Sequence, residues 1–312
     1  MLDVVTRHMG PSGLTVAAIF VALVVASVIA RLLKWSHPEK DYGELIVRIR
    51  SWWIMIAIFA GASLLGRTAS ITYFGIVSFL ALKEFLSFVP TRRADRRLLF
   101  VAFLAIPVEF YWIDIGWYGM FIIFVPVYMF LLLPALMVLG GETKGFIKAA
   151  GTLHWGLMIC VFAIGHAAYL LVLPIRGAPT GGLLLFLLIL TEGNDVAQYV
   201  WGKLFGDWKI VPSVSPNKTV AGFLGGIATV TVLGAALATF LTPFGLVAGA
   251  ALGAMIAVAG FFGDVTISAV KRDIGIKDMG KLIPGHGGVL DRIDSLVFAA
   301  PLFFHTVRYF WG

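Results

Sequence analysis

Apolar residues recur along this chain in ten runs of 16 to 23 residues, each closed by a short polar segment. A window of about 19 residues places them at 14–33, 51–66, 69–88, 98–113, 117–139, 151–173, 182–201, 219–241, 244–263 and 290–310. A hydrocarbon core about 30 Å thick takes roughly 20 helical residues, so the runs predict membrane spans. The second and fourth are short and are expected to tilt little, thin the bilayer or be shielded by neighbours. With no internal repeat, the pattern predicts one all-α, polytopic transmembrane helical bundle of nine to ten spans.

Composition agrees with that class. The chain is 60% hydrophobic and 13% charged, with a mean hydropathy of +0.95, whereas a soluble domain is roughly a quarter charged. The single cysteine, Cys160, lies in an apolar run and cannot form an intrachain disulfide, so it reads as a small packing residue. The opening MLDVVTRHMGPSG lacks the basic stretch and cleavage site of a removable leader, so the first span is expected to be retained.

Charge then orients the bundle. Of the 24 Lys and Arg residues, 20 fall in segments 31–50, 83–97, 140–150, 202–218 and 264–292, which successive spans bring to one side. Only Arg7, Arg67, Arg176 and Arg308 remain for the other. The positive-inside rule makes the loaded side cytoplasmic and the N-terminus outside, as expected in a bacterial inner membrane. The net charge of +7 is thus a topology signal, reinforced by anionic headgroups, and needs no nucleic-acid partner. Gly and Ala crowd the eighth and ninth spans, which predicts close helix contacts in the bundle interior.

Three polar clusters fall on the cation-rich side. In TEGNDVAQY, Glu192, Asp195 and Tyr199 recur at helical spacing and share one face. Such groups beside apolar residues 183–190 are expensive against lipid, unless the helix end has already reached water. In VPSVSPNKTVAGFLGG, Pro212 and Pro216 fix a turn, Ser215 and Thr219 offer hydroxyls, and Lys218 presents a cation where the eighth span begins. This is either an anion site at a helix start or an ordinary turn with a helix cap.

The third cluster is the densest. Residues 268–294, SAVKRDIGIKDMGKLIPGHGGVLDRID, hold five basic and four acidic side chains in an otherwise apolar chain. Asp264, Ser268 and Lys271 precede or open it as one helical stripe; Arg272, Lys277 and Lys281 add cations. Pro284-Gly285-His286-Gly287-Gly288 makes a turn, and Asp291, Arg292 and Asp294 start the last span. Alternating cations and carboxylates suit a phosphate ligand with a divalent metal. A solvated loop of mutually paired charges is the plain alternative, but it gives no reason for Gly-His-Gly-Gly between charged helix ends. His286 has no second His at metal-binding spacing, and there is no P-loop, Ser elbow or Cys–His pair.

The segment 268–294 resembles the signature of phosphatidate cytidylyltransferases, the CDP-diacylglycerol synthases. The likeness extends through Asp264, through Ser215-Pro216-x-Lys218-Thr219 and through Asp195 with Tyr199, covering residues 190–312. It implies a membrane enzyme that joins CTP to phosphatidic acid and releases pyrophosphate. By the same resemblance Asp264 and Asp291 match carboxylates that hold a catalytic Mg²⁺, with Asp195 as a further metal or supporting carboxylate. Lys271 and Arg272 match catalytic cations, and Ser215, Lys218, Thr219, Ser268, Lys277, Asp278, His286, Gly287, Gly288 and Arg292 match substrate-binding positions. Residues 1–180 would then be scaffold and lipid access, and 181–312 the catalytic region; the Gly/Ala-rich faces and the family suggest a homodimer. Two departures stand out: Gln198 replaces an Ala before Tyr199, and Val220-Ala221 replace an aromatic and a Glu. A paralogue with another lipid acceptor therefore stays open.

The chemistry so implied needs little acid–base machinery, because the lipid phosphate is already an anion. The obstacle is the approach of two polyanions, which fixed cations and a metal offset. A CTP-dependent lipid kinase and an ion-coupled transporter are the alternatives. A transporter would gather its charges near the midplane rather than at one face. A CDP-alcohol phosphotransferase lacks support, as its Asp-Gly…Ala-Arg segment is missing.

Overall fold

The computed structural model describes residues 10–312; Arg7 and most of the opening segment read as lacking a removable leader lie outside the described residues. Eleven α-helices account for the fold among those residues: α1 Pro11–Ser36, α2 Gly43–Leu65, α3 Arg67–Phe88, α4 Arg96–Asp114, α5 Tyr118–Leu139, α6 Phe146–Tyr169, α7 Gly182–Phe205, α8 Val220–Leu241, α9 Leu246–Asp273, the single turn α10 Leu290–Ile293, and α11 Leu296–Trp311. No strand forms among them. The protein is a polytopic helical bundle, and it is an integral membrane protein.

Each of the ten apolar runs is helical. Eight helices are long and apolar enough to cross a bilayer. The exceptions are α4, which carries Arg96, Arg97, Glu109 and Asp114 in 19 residues, and the 16-residue α11. The second run was expected to be short, yet α2 has 23 residues. Arg48 and Arg50 depress local hydropathy without breaking the helix, because their long stems let the charges leave the apolar zone. Helices α5 and α6 each contain a π-helical stretch, Phe124–Met129 and Met158–Phe162; the two stretches pack against each other, and Pro126 lies within the first.

Alternating direction gathers the cation-rich links at one end. Arg92 donates to the carbonyls of Glu142 and Lys144, joining links 89–95 and 140–145. Arg48 and Ser51 of α2 donate to the carbonyls of Gly285 and Pro284, and Arg272 donates to that of Val214.

The small residues of α8 and α9 do bring their backbones together: a Cβ on Gly234 would stand 2.6 Å from the Gly249 carbonyl, and one on Gly253 2.5 Å from that of Val230. Only α9 is interior, however. Helix α8 packs one stripe on α7 and α9 and turns Leu224, Val232 and Phe240 outward. Glycine spacing specifies a close neighbour, and one such neighbour on each of two sides leaves the remaining face free. Cys160 is fully buried in the apolar core, as its position predicted.

Candidate active site

At the cation-rich end, α7, α8, α9 and the segment 274–295 enclose two lysine–aspartate pairs. Helix periodicity sets Asp264, Ser268 and Lys271 on one face of α9, and the Ser268 hydroxyl donates to Asp264 Oδ1 at 3.2 Å. Asp264 Oδ2 lies 2.5 Å from Lys218 Nζ, while Lys271 Nζ donates to Asp291 Oδ1 at 2.9 Å. Both pairs are largely shielded, the second more completely, with Lys271 and Asp291 side chains only 10% and 5% exposed.

Asp291 has no spare oxygen. Its Oδ2 accepts the backbone N–H groups of Met279 at 2.8 Å and Gly288 at 2.9 Å. Gly287 is required here: its φ is +89°, and a Cβ on it would lie 2.7 Å from Asp291 Oδ2. The Gly-His-Gly-Gly turn is thus wrapped around a carboxylate.

Asp264 keeps different company. Asp195 of α7 and Asp294 stand close enough to it for the three carboxylates to repel one another. Asp195 accepts the Ser295 hydroxyl with both oxygens at 3.1 Å, and Asp294 accepts the Ser295 N–H at 2.8 Å. Oxygen-only donors of this kind fit Mg²⁺, which binds one or two carboxylates and completes its shell with phosphate and water. Among the described residues no three acidic, His or Cys side chains form a closed metal cage, so an ion here would rely on those outside ligands.

The remaining sequence candidates divide. Lys218 also donates to the Gln198 side-chain oxygen at 3.0 Å, so the residue that departs from the family pattern touches a site lysine. Thr219 is buried and caps α8, its hydroxyl accepting the Gly222 N–H at 3.0 Å; the helix-cap reading holds for it. Ser215 is half-buried in the same turn. Arg272 turns away from Asp291 and holds the carbonyls of Val214 and Ile276, both at 3.1 Å. Tyr199 is exposed at the surface of α7, near Lys203.

Lys277, Asp278, Lys281, His286 and Arg292 line a polar cleft of about 740 Å³, closed on its other wall by Glu44, Arg48 and Trp52 of α2. Burial, reinforced by the nearby Arg292 charge, holds His286 below the ordinary imidazole range. Trp52 and Arg292 also border a second, apolar cavity of about 330 Å³ between α1, α2, α3 and α7, where Phe59, Phe74 and Leu188 are among the lining and Glu192 is the one carboxylate. The guanidinium of Arg292 makes no ion pair within 4.0 Å among the described residues, and its Nε is buried without a partner.

Sequence reading missed the contribution of the N-terminal helices. Arg48, Ser51 and Trp52 of α2 hold or face the glycine turn, and Glu84 of α3 accepts the Leu290 N–H at 3.0 Å. Glu84 carried a signal of its own, a carboxylate in the apolar run FLALKEFLSF, the same criterion that singled out Glu192.

The cation-lined cleft and the apolar cavity thus share Trp52 and Arg292, and Arg292 directly follows Asp291 of the second lysine–aspartate pair. Comparison with known proteins specifies the class. The model of the cytidylyltransferase family matches residues 46–310, and the chain belongs to that family, as the resemblance implied. Over nearly its whole length it is similar to the uncharacterized protein YnbB of Escherichia coli K12: 43% identity over 296 residues, 95% of this chain and 98% of that one. It is also similar to the phosphatidate cytidylyltransferase of Synechocystis, 45% identical over 36% of this chain and 39% of that protein. The enzyme of the same name from Aquifex aeolicus is 35% identical over 52% of this chain and 58% of its own length. The chain thus spans only about half the length of these relatives named for the activity.

Proposed function

We propose that this protein transfers the cytidylyl group of CTP to phosphatidic acid, giving CDP-diacylglycerol and pyrophosphate. The observation that carries the reading is the junction at Arg292 and Trp52, where the cation-lined cleft meets the apolar cavity. An acyl chain in the cavity would leave the lipid phosphate at Arg292, a guanidinium shaped for phosphate oxygens. The triphosphate would lie in the cleft among Arg48, Lys277 and Lys281.

A phosphate oxygen of the lipid attacks the α-phosphorus of CTP; that P–O bond forms as the α–β P–O bond breaks and pyrophosphate leaves. No proton transfer is needed at the nucleophile. Mg²⁺, held by Asp264 with Asp195 and otherwise by phosphate oxygens and water, would supply charge neutralisation for the triphosphate, while Asp291 would keep Lys271 in place. Lys218 and Lys271 keep the carboxylates apart from one another and present ammonium groups to phosphate oxygens. Arg292 orients the acceptor, and Trp52 separates the wet cleft from the apolar cavity. The cation bias of the links supports a cytoplasmic position for this end, at a bacterial inner membrane, where CTP is available.

Purified protein given phosphatidic acid, Mg²⁺ and CTP labelled at either the α- or the γ-phosphate tests the reading. Label should enter the lipid from the α-position only, with cytidine found in the product by mass. Transfer of γ-label to a lipid alcohol would identify a kinase and overturn the proposal.

A further inference from the structure

We propose that Glu84 is a positioning residue for the site: from the N-terminal half of the bundle it fixes the backbone that aims Asp291 and Arg292. Helix α10 is one turn long and begins at Leu290, immediately before those two side chains. The first N–H groups of a helix have no partners within it, and α10 has no capping side chain in its own flank. Glu84 Oε2 supplies the acceptor from 206 residues away, taking the Leu290 N–H at 3.0 Å.

A second observation is independent of that bond. The carboxylate lies between two glycines: a Cβ on Gly280 would stand 2.7 Å from Oε1, and one on Gly288 2.5 Å from Oε2. Neither glycine is replaceable while Glu84 stays where it is, so the two strands of the turn close upon it. Asp291 braces the same strands from within through the Met279 and Gly288 N–H groups. The turn is therefore clamped between two carboxylates, one of which bonds Lys271 while the other belongs to α3. Glu84 Oε1 is buried without a hydrogen-bond partner, an expense that an ordinary packing contact would avoid by using an apolar side chain.

The inference rests on the proposed transfer for its kinetic readout, and a second readout is free of it. Glu84→Gln keeps an oxygen for the Leu290 N–H; Glu84→Ala removes it. Small displacements at a reacting centre cost up to about a hundredfold in rate, so Glu84→Ala should lower kcat by between about tenfold and a hundredfold with the KM for CTP nearly unchanged. Glu84→Gln should restore most of it. Hydrogen–deuterium exchange over residues 283–293 of the full-length protein in detergent should be faster in Glu84→Ala and near wild type in Glu84→Gln. Unchanged exchange in Glu84→Ala, or Glu84→Gln behaving like Glu84→Ala in exchange, would overturn the positioning role. So would a Glu84→Ala enzyme that melts lower yet turns over normally. If wild-type protein transfers no cytidylyl group, the functional proposal fails, and the exchange data still decide the role of Glu84.

Discussion

The regions around Asp264 and Asp291 use the same pair of residue types to different ends. Asp291 is 5% exposed and spends every oxygen on Lys271 and two backbone N–H groups. Asp264 is 20% exposed, shares a lysine with Gln198, and otherwise accepts only a hydroxyl at 3.2 Å. One carboxylate is built into a loop, and the other can exchange its partner for a ligand without unmaking any backbone contact. A lysine–aspartate pair is therefore no guide to role until its other hydrogen bonds are known.

The largest effect should come from the enclosed pair. Asp291→Asn leaves Lys271 buried without its counterion, and breaking a buried pair costs about 3 kcal/mol or more. Both the melting temperature in detergent and the turnover should fall, and Lys271→Met added to Asp291→Asn should recover stability without activity. A stable Asp291→Asn protein would erase the distinction. Asp264→Asn should separate the two properties, losing turnover by about a hundredfold or more with a melting temperature close to wild type.

Thr219 sharpens the contrast from the Asp264 side. It neighbours Lys218, yet its hydroxyl is committed to the α8 cap. Thr219→Val should cost about 1 kcal/mol in a denaturation measurement and leave the KM for CTP unchanged; a raised KM would return the hydroxyl to the binding site.

The smallest expected effect is a pH slope. Because His286 titrates lower in the folded protein than in the unfolded chain, the unfolded chain binds the extra proton first on acidification. Stability contributed by neutral His286 is present above about pH 6.5 and declines as the pH falls from there. Melting temperatures measured between pH 7.5 and 5.5 should drop less in His286→Asn than in wild type, and Asp264→Asn should not alter the difference.

Much of this was legible in the residue order. Continuous apolar runs located all ten helical segments, since a span must satisfy its backbone bonds within itself whatever its neighbours are. The 264–294 cluster was conspicuous because charge beside lipid is costly, and the stripe of Asp264, Ser268 and Lys271 followed from helix geometry alone. Local signals failed where partners lie far apart in the chain. Thr219 caps its own helix through a local bond, but adjacent Lys218 reaches Asp264 only because α8 packs against α9.

What the sequence determined by itself, then, was the membrane class, the helices and the end of the bundle where chemistry gathers, because each depends on composition and short-range periodicity. Tertiary structure alone decided that Asp291 is more deeply enclosed than Asp264, that Arg292 stands where an apolar cavity meets a polar cleft, and that Glu84 reaches Leu290. These depend on which helices touch, and side-chain contacts across 200 residues leave no period to read.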